Sequence, residues 1–341
     1  MRILALLFIV NIALFANVDK IENYTDNLFE DQKLNGNVLV AYKNKIIFQK
    51  SYGYANSSWK VKFENDTRFL IFSLTKHVTA IMIMQLVDEG KLELYDTIDN
   101  YLPYLPGKKK NISILNLLTH THGIPDLYYE DLPLNIDQLS KERFIQNYFD
   151  DEREFSPGKE FSYSELAGYS LLGAIIEEIT GKSYEENLKE RIIEKLSLLN
   201  SGFFDGFHDV GRLAEVYQFD TDYLRRYFFT VSFNGSSSIY SSTEDLLRIE
   251  TGIDNNDLMS KVSKEILLTA VAPKEKPKYA LGYYIEDIFY NGRYSKARYH
   301  TGGGRSSVYH VEDEGISIIL LNNIRNDKLI DYSREILMMI K

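Results

Sequence analysis

An α/β (α+β) architecture is expected, with one antiparallel sheet built from both ends of the chain and a large helical insertion between them. Three patterns carry that expectation. Strand-like runs occupy residues 37–52 and return across 279–322, apolar residues recur at helical spacing through about 112–200, and Asp327 to Ile340 ends the chain as an amphipathic helix. No internal repeat and no Pro/Gly/Ser linker divides the sequence. Residues 17–341 therefore read as a single domain, its sheet part about 20–70 and 236–341, its helical part about 73–235.

The elements follow in order. Met1-Arg2, an apolar stretch from Ile3 to Ala16 broken by Asn11, and a polar continuation make a secretory signal peptide with cleavage near Ala16–Asn17. A spanning helix needs about 20 apolar residues, although an uncleaved anchor is the alternative. The protein is then secreted or periplasmic, with no stable membrane span after cleavage. Leu28 to Gln32 reads as the end of a short helix. Asn37–Tyr42 and Ile46–Tyr52 read as strands around a Lys43-Asn44-Lys45 turn. From Ser73 to Gly90 apolar residues surround nearly the whole circumference of a helix, the mark of a buried one. Ile112–Leu118 and Leu166–Ile179 are helical, the latter capped by Gly181. Tyr279–Asp287, Ser306–Val311 and Ile316–Asn322 are strands.

Composition narrows the partners. With 39 basic against 49 acidic residues the formal charge is −10, which argues against nucleic acid. The run Lys108-Lys109-Lys110 reads as a solvated turn. There is no cysteine, hence no disulfide and no lipid-bearing thiol.

Three segments have the residue types for acyl chemistry. Ser-x-x-Lys occurs at Ser57…Lys60, Ser73…Lys76 and Ser156…Lys159, but only Ser73 opens a long buried helix. There the spacing puts hydroxyl and amine on one face, where a buried lysine can lose its proton and activate the serine. An N-cap serine with an ordinary lysine one turn on fits the same pattern. Tyr163, in the loop Phe161-Ser162-Tyr163-Ser164-Glu165, can relay a proton if a cation lowers its pKa, although with 25 tyrosines packing is the usual role. Tyr299-His300-Thr301-Gly302-Gly303-Gly304 places glycines on a strand edge, where backbone N–H groups can face a ligand. His120 and His122 invite a metal reading, but no third ligand is evident and a structural loop accounts for them. No metal and no cofactor is expected.

Taken together, Ser73-Leu-Thr-Lys76, Tyr163-Ser-Glu165 and His300-Thr-Gly302 resemble the three-motif signature of the serine β-lactamase and penicillin-binding-protein superfamily. The flanks resemble its class C-like branch, which also holds D-alanyl-D-alanine carboxypeptidases, D-aminopeptidases and esterases. They are Leu117-Leu118-Thr119-His120-Thr121-His122-Gly123-Ile124-Pro125, Phe155-Ser156-Pro157-Gly158 and Ile239-Tyr240-Ser241-Ser242-Thr243-Glu244-Asp245-Leu246. The resemblance spans about residues 30 to 325. It implies an acylated nucleophile at Ser73, with Lys76 as its base or the tuner of that base. Tyr163 would shuttle the proton, and His300 would stand where many members carry Lys or His. Gly302 would leave room for substrate, and the N–H groups of Ser73 and Gly303 would form the oxyanion hole.

Glu165 departs from the pattern, which has Asn. A carboxylate cannot donate a hydrogen bond, and beside Lys76 it favours the charged ammonium. Two readings follow: an exported serine hydrolase altered for an ester or an amine-bearing peptide, or a catalytically impaired binding or sensor protein. A mostly neutral His300 gives no fixed charge for a substrate carboxylate, though Arg305 could partly substitute. This tilts the reading from β-lactamase towards esterase or peptidase. The substrate is expected to be a small molecule or peptide, with peptidoglycan-derived peptides the natural guess given export.

Overall fold

The computed structural model describes residues 17–105, 111–126, 155–220, 223–226, 235–271 and 278–340. The expected signal peptide and the run Lys108-Lys109-Lys110 lie outside the described residues.

A helix over residues 17–30 (α1) leads into β1 (Gly36–Tyr42) and β2 (Lys45–Tyr52), and then into the short strands β3 (Tyr54–Asn56), β4 (Val61–Lys62) and β5 (Phe69–Leu70). The helices α2 (Thr75–Asp88), α3 (Ile114–Leu118), α4 (Ala167–Thr180) and α5 (Tyr184–Leu188) follow. Next come β6 (Gly202–Phe203), β7 (Tyr217–Asp220), β8 (Tyr223–Arg226) and β9 (Ile239–Ser241), then α6 (Thr243–Asp254) and α7 (Lys261–Leu267). The chain closes with β10 (Lys278–Tyr279), β11 (Tyr284–Tyr290), β12 (Arg293–Gly302), β13 (Ser306–Val311), β14 (Ile316–Asn322) and α8 (Leu329–Leu337).

The main sheet has seven strands in the order β10-β11-β12-β13-β14-β1-β2. Its two sequence halves meet where β1 runs antiparallel to β14, from Gly36 opposite Asn322 to Ala41 opposite Ser317. Both central strands are buried on both faces, so they read as continuous apolar runs rather than alternating ones. Val38, Val40, Ile318 and Leu320 pack towards α1 and α8. Leu39, Ala41, Ile319 and Leu321 pack towards α2 and the helical region. In α2 every residue from Thr75 to Leu86 is buried, as the all-round apolar pattern requires. None of the described helices is long and apolar enough to cross a membrane.

The structure corrects three details. The stretch 73–235 is not wholly helical: β6 joins β5 and β9 in a small sheet of order β5-β9-β6, and β7 pairs with β8. The expected strand Tyr279–Asp287 is split, because Gly282 turns at φ +84°, a conformation that suits glycine. A side chain there would press on the Lys76 carbonyl and on Ala80. Finally, β12 is an interior strand, but its last pair with β11 is Tyr284 opposite Tyr299. His300, Thr301 and Gly302 outrun that neighbour and pair with β13 alone, so the edge is local to those three residues.

Candidate active site

Ser73 is fixed from below by the small sheet. Phe69 and Leu70 pair with Ser241 and Tyr240 of β9, and the Ile71 N–H donates to the Ile239 carbonyl at 3.0 Å. The chain then makes a 3-10 turn over Phe72–Leu74, so Ser73 lies just ahead of α2 rather than within it. Phe72 is held at φ +49°, a conformation that costs a bulky residue energy and is kept only where its surroundings enforce it. The enforcement comes from β12 and β13: the Ser306 hydroxyl donates to the Ile71 carbonyl at 2.7 Å. A Cβ on Gly302 would stand 2.0 Å from that same carbonyl. The space Gly302 leaves is therefore filled by the backbone that carries Ser73, not kept open for a substrate. Gly303, at φ +54°, lies against the Phe72 ring.

Lys76 is one turn on and fully buried. Its Nζ donates to Ser73 Oγ at 3.2 Å, to the Glu165 carbonyl at 2.7 Å and to the Ser236 carbonyl at 3.5 Å. Burial pushes its pKa down to about 7, against the smaller upward pull of Asp126 and Glu165. The expected effect of Glu165 is thus present in sign but outweighed: desolvation decides the charge of the amine. The lysine meets the carbonyl of Glu165, while the carboxylate is exposed.

Tyr163 completes a triangle. It hydrogen-bonds the Ser73 side chain, and its ring lies 5.2 Å from Lys76 Nζ. The cation does not lower the phenol's pKa as anticipated. Burial raises it well above the ordinary value, so the group is a neutral O–H at physiological pH. His300 packs beside it with ring centroids 5.7 Å apart. Burial and the Lys76 charge bring His300 down to about 3; its Nδ1 is 2.6 Å from the Thr301 carbonyl and its Nε2 3.4 Å from the Tyr279 hydroxyl. Arg305 is turned inward, donating to the Gly303 carbonyl at 3.0 Å and the Tyr217 carbonyl at 3.1 Å.

The two loop histidines are building parts. His120 Nδ1 accepts the Ser164 N–H at 3.0 Å, its Nε2 is 3.1 Å from the Tyr279 hydroxyl, and its ring lies 4.5 Å from that of Tyr163. His122 Nδ1 accepts the Ile124 N–H at 3.0 Å. Gly158 closes the Phe155–Gly158 turn onto this loop by donating to the Thr121 carbonyl at 2.8 Å.

Sequence reasoning missed Asp126. Its carboxylate accepts from the Ser164 hydroxyl at 2.7 Å, from the Glu165 N–H, and from the N–H groups of Leu166 and Ala167 at 3.2 and 3.4 Å. It caps α4 from outside that helix and holds the loop bearing Tyr163 and the Glu165 carbonyl. Its place after Gly123-Ile124-Pro125 was visible in sequence; its separation of 38 residues from Ser164 hid the contact.

An antiparallel sheet of this order, with a serine and a buried lysine held against its local edge, is the architecture of the serine hydrolases that include β-lactamases and penicillin-binding proteins. The family model described as Beta-lactamase matches residues 20–335, so the chain belongs to that family and is a serine hydrolase of it. It is 27% identical over 310 residues to PbpX of Bacillus subtilis (strain 168), named for the penicillin-binding proteins; the match covers 90% of this chain and 74% of that one. It is 29% identical over 270 residues to the teichoic acid D-alanine hydrolase of Staphylococcus aureus (strain MRSA252), covering 76% of this chain but only 65% of that one. The crystal structure of a penicillin-binding protein from Bacillus halodurans superposes with a TM-score of 0.79 at 24% identity, over 91% of this chain and 98% of the other.

Proposed function

We propose that residues 17–341 form a single catalytic domain that hydrolyses an ester or amide through a covalent acyl-enzyme on Ser73. The observation that carries this reading is the buried Lys76 amine, 3.2 Å from Ser73 Oγ and with a pKa near 7, so that a large fraction is neutral at physiological pH. Lys76 takes the Ser73 proton as Oγ attacks the carbonyl carbon. The Tyr163 O–H passes a proton to the departing oxygen or nitrogen, and the N–H groups of Ser73 and Gly303 hold the developing oxyanion. Water then enters along the same relay, giving the free acid and restoring Ser73. Among the described residues His300 is neutral and Arg305 gives its guanidinium to backbone carbonyls, which supports an esterase or peptidase over an efficient β-lactamase. The low pKa of Lys76 weighs against an impaired sensor. Export fits the apolar segment before Asn17, and a peptide or ester of the bacterial cell envelope fits export.

Intact-protein mass after exposure to a fluorophosphonate tests the reading, with Ser73→Ala beside the wild type. A single adduct on the wild type alone is expected; an unlabelled wild type overturns the nucleophile.

A further inference from the structure

The turn between β12 and β13 carries Gly303, whose N–H is the proposed partner of the Ser73 N–H in holding the oxyanion. Residues 303–305 form that turn, with Gly303 at φ +54° and Gly304 at φ +65°. The Arg305 N–H donates to the Gly302 carbonyl at 2.8 Å, and the Arg305 carbonyl accepts the Asn322 N–H at 2.6 Å. From that fixed backbone the buried Arg305 side chain folds back over the turn. Nη1 donates to the Gly303 carbonyl at 3.0 Å and Nη2 to the Tyr217 carbonyl at 3.1 Å, while the guanidinium lies over the Phe72 ring, 5.6 Å from its centroid. Tyr217 is a firm anchor, because its N–H donates to the Asn323 carbonyl at 2.8 Å and its hydroxyl accepts the Ser57 N–H at 2.9 Å. Gly303 rests on the same Phe72 ring, where a Cβ would stand 3.2 Å from it. Phe72, held at φ +49°, is the residue before Ser73.

We propose that Arg305 is a positioning residue that sets the oxyanion hole, by tying the Gly303 turn and the strained Phe72 beside Ser73 to one planar group. This rests on the hydrolase reading above, which gives the N–H groups of Ser73 and Gly303 to the oxyanion. Those donors belong to segments far apart in sequence, yet both must lie about 2.7–3.1 Å from the point where charge develops. The Ser306 hydroxyl on the Ile71 carbonyl fastens the two segments at their base. Their tips need a second tie, because two successive glycines are conformationally permissive and give the turn little stiffness of its own. The guanidinium supplies it: one flat cation serves two carbonyls and a ring face at once, which the compact ammonium of a lysine cannot do.

The test reads the hole directly and needs no substrate. A fluorophosphonate sets its P=O oxygen where the oxyanion forms, and its P=S analogue sets there a larger atom that accepts hydrogen bonds poorly. The ratio of the two labelling rates at Ser73, normalised to the reaction of each probe with hydroxide, therefore measures the fit of the hole. It is taken on wild type, Arg305→Met and Arg305→Lys, each below its thermal unfolding midpoint. The wild type is expected to favour P=O. Arg305→Met should slow P=O labelling by on the order of 10- to 100-fold, the cost of misplacing a group by about 1 Å, and lower the ratio by a similar factor. Arg305→Lys keeps the charge but not the two-carbonyl span, should keep part of the preference, and carries the test if Arg305→Met does not fold. A disturbed Ser73–Lys76 pair would slow both probes alike. Equal slowing of both, rates unchanged in both variants, or a labelled wild type with no preference for P=O thus overturns the inference and leaves the nucleophile standing. An unlabelled wild type overturns the hydrolase reading instead.

Discussion

Lys76 and Arg298 are both cations with no exposed surface, and the fold treats them in opposite ways. Arg298 donates to Glu250 Oε2 at 2.7 Å and to Asp254 Oδ1 at 2.9 Å, and its Nη1 is 3.4 Å from Glu312 Oε1. Burial alone would pull its pKa down, but the carboxylates win and hold it above the usual value. Asp254, which burial would raise, is brought down to about 2 by its hydrogen bond to His310 and by Arg298. Lys76 donates to two carbonyls and a hydroxyl and, among the described residues, contacts no carboxylate, and burial wins. The two sites are neighbours. Arg298 and His300 alternate onto the same face of β12, and His77, next to Lys76, stacks on Tyr283 at 3.7 Å while Tyr283 donates to Glu250. One buried cation is compensated and holds the sheet to α6; the other is left short of charge, which makes it a base.

The largest expected effect comes from removing the undercompensated cation. Lys76→Met should lower kcat/KM by roughly 10²–10⁴-fold, the range for losing a general base. The same change should stabilise the fold. Between pH 7 and 10.5 the unfolded chain binds a proton that the native Lys76 does not, so native stability rises with pH across that window. The penalty is complete below about pH 7 and absent above about pH 11, on the order of 4 kcal/mol at full size. Denaturant unfolding at several pH values should therefore show Lys76→Met gaining most near pH 6, less what the Glu165 and Ser236 carbonyls lose with their donor. A variant destabilised at every pH would break the contrast.

Removing the compensated cation should do the reverse. Arg298→Met leaves Glu250, Asp254 and Glu312 without their shared partner, at a cost of about 3–5 kcal/mol. Thermal unfolding should show it, and Arg298→Lys should recover part. Folded Arg298→Met, assayed below its midpoint, should retain a pH limb near 7, because Lys76 does not touch Arg298.

Neither cation's state was equally visible in sequence. Ser73-Leu-Thr-Lys76 at the head of an apolar helix was legible because motif and element coincide, and the sheet was legible because β1 and β14 are short apolar runs bounded by turns. The Arg298 cluster was not, since Glu250 and Arg298 are 48 residues apart and each is an ordinary charge in its own segment. The sign of the Glu165 effect was readable, but its size was not, because the depth at which Lys76 is buried depends on β9, α4 and β12 closing around it. The role of Gly302 was misjudged for a similar reason: the carbonyl it accommodates belongs to Ile71, on the far side of the chain.

A smaller effect sharpens the contrast through Asp126, the carboxylate that pulls harder on Lys76 from a distance. Asp126→Asn weakens the cap on α4, worth about 1 kcal/mol, and loosens the loop holding Tyr163. It also removes the larger of the two upward pulls on Lys76. The limb of kcat/KM should then move to lower pH while the plateau falls, by roughly tenfold for a misplaced relay. A purely structural Asp126 would lower the plateau and leave the limb in place.

The smallest expected shift decides who owns that limb. A rise in activity through pH 7 is the usual signature of histidine, and His300 stands beside Tyr163. Yet desolvation and the Lys76 charge hold His300 near 3, so it is neutral on both sides of the limb, whereas Lys76 changes state within it. His300→Gln keeps a neutral hydrogen-bonding side chain in contact with β12 and removes the titrating ring. If Lys76 sets the limb, the midpoint moves only slightly, downward if at all, because the protonated ring is already absent at pH 7. If the midpoint disappears, the histidine rather than Lys76 titrates within the limb. The pH profile of one conservative variant therefore tests the assignment of Lys76 as the base.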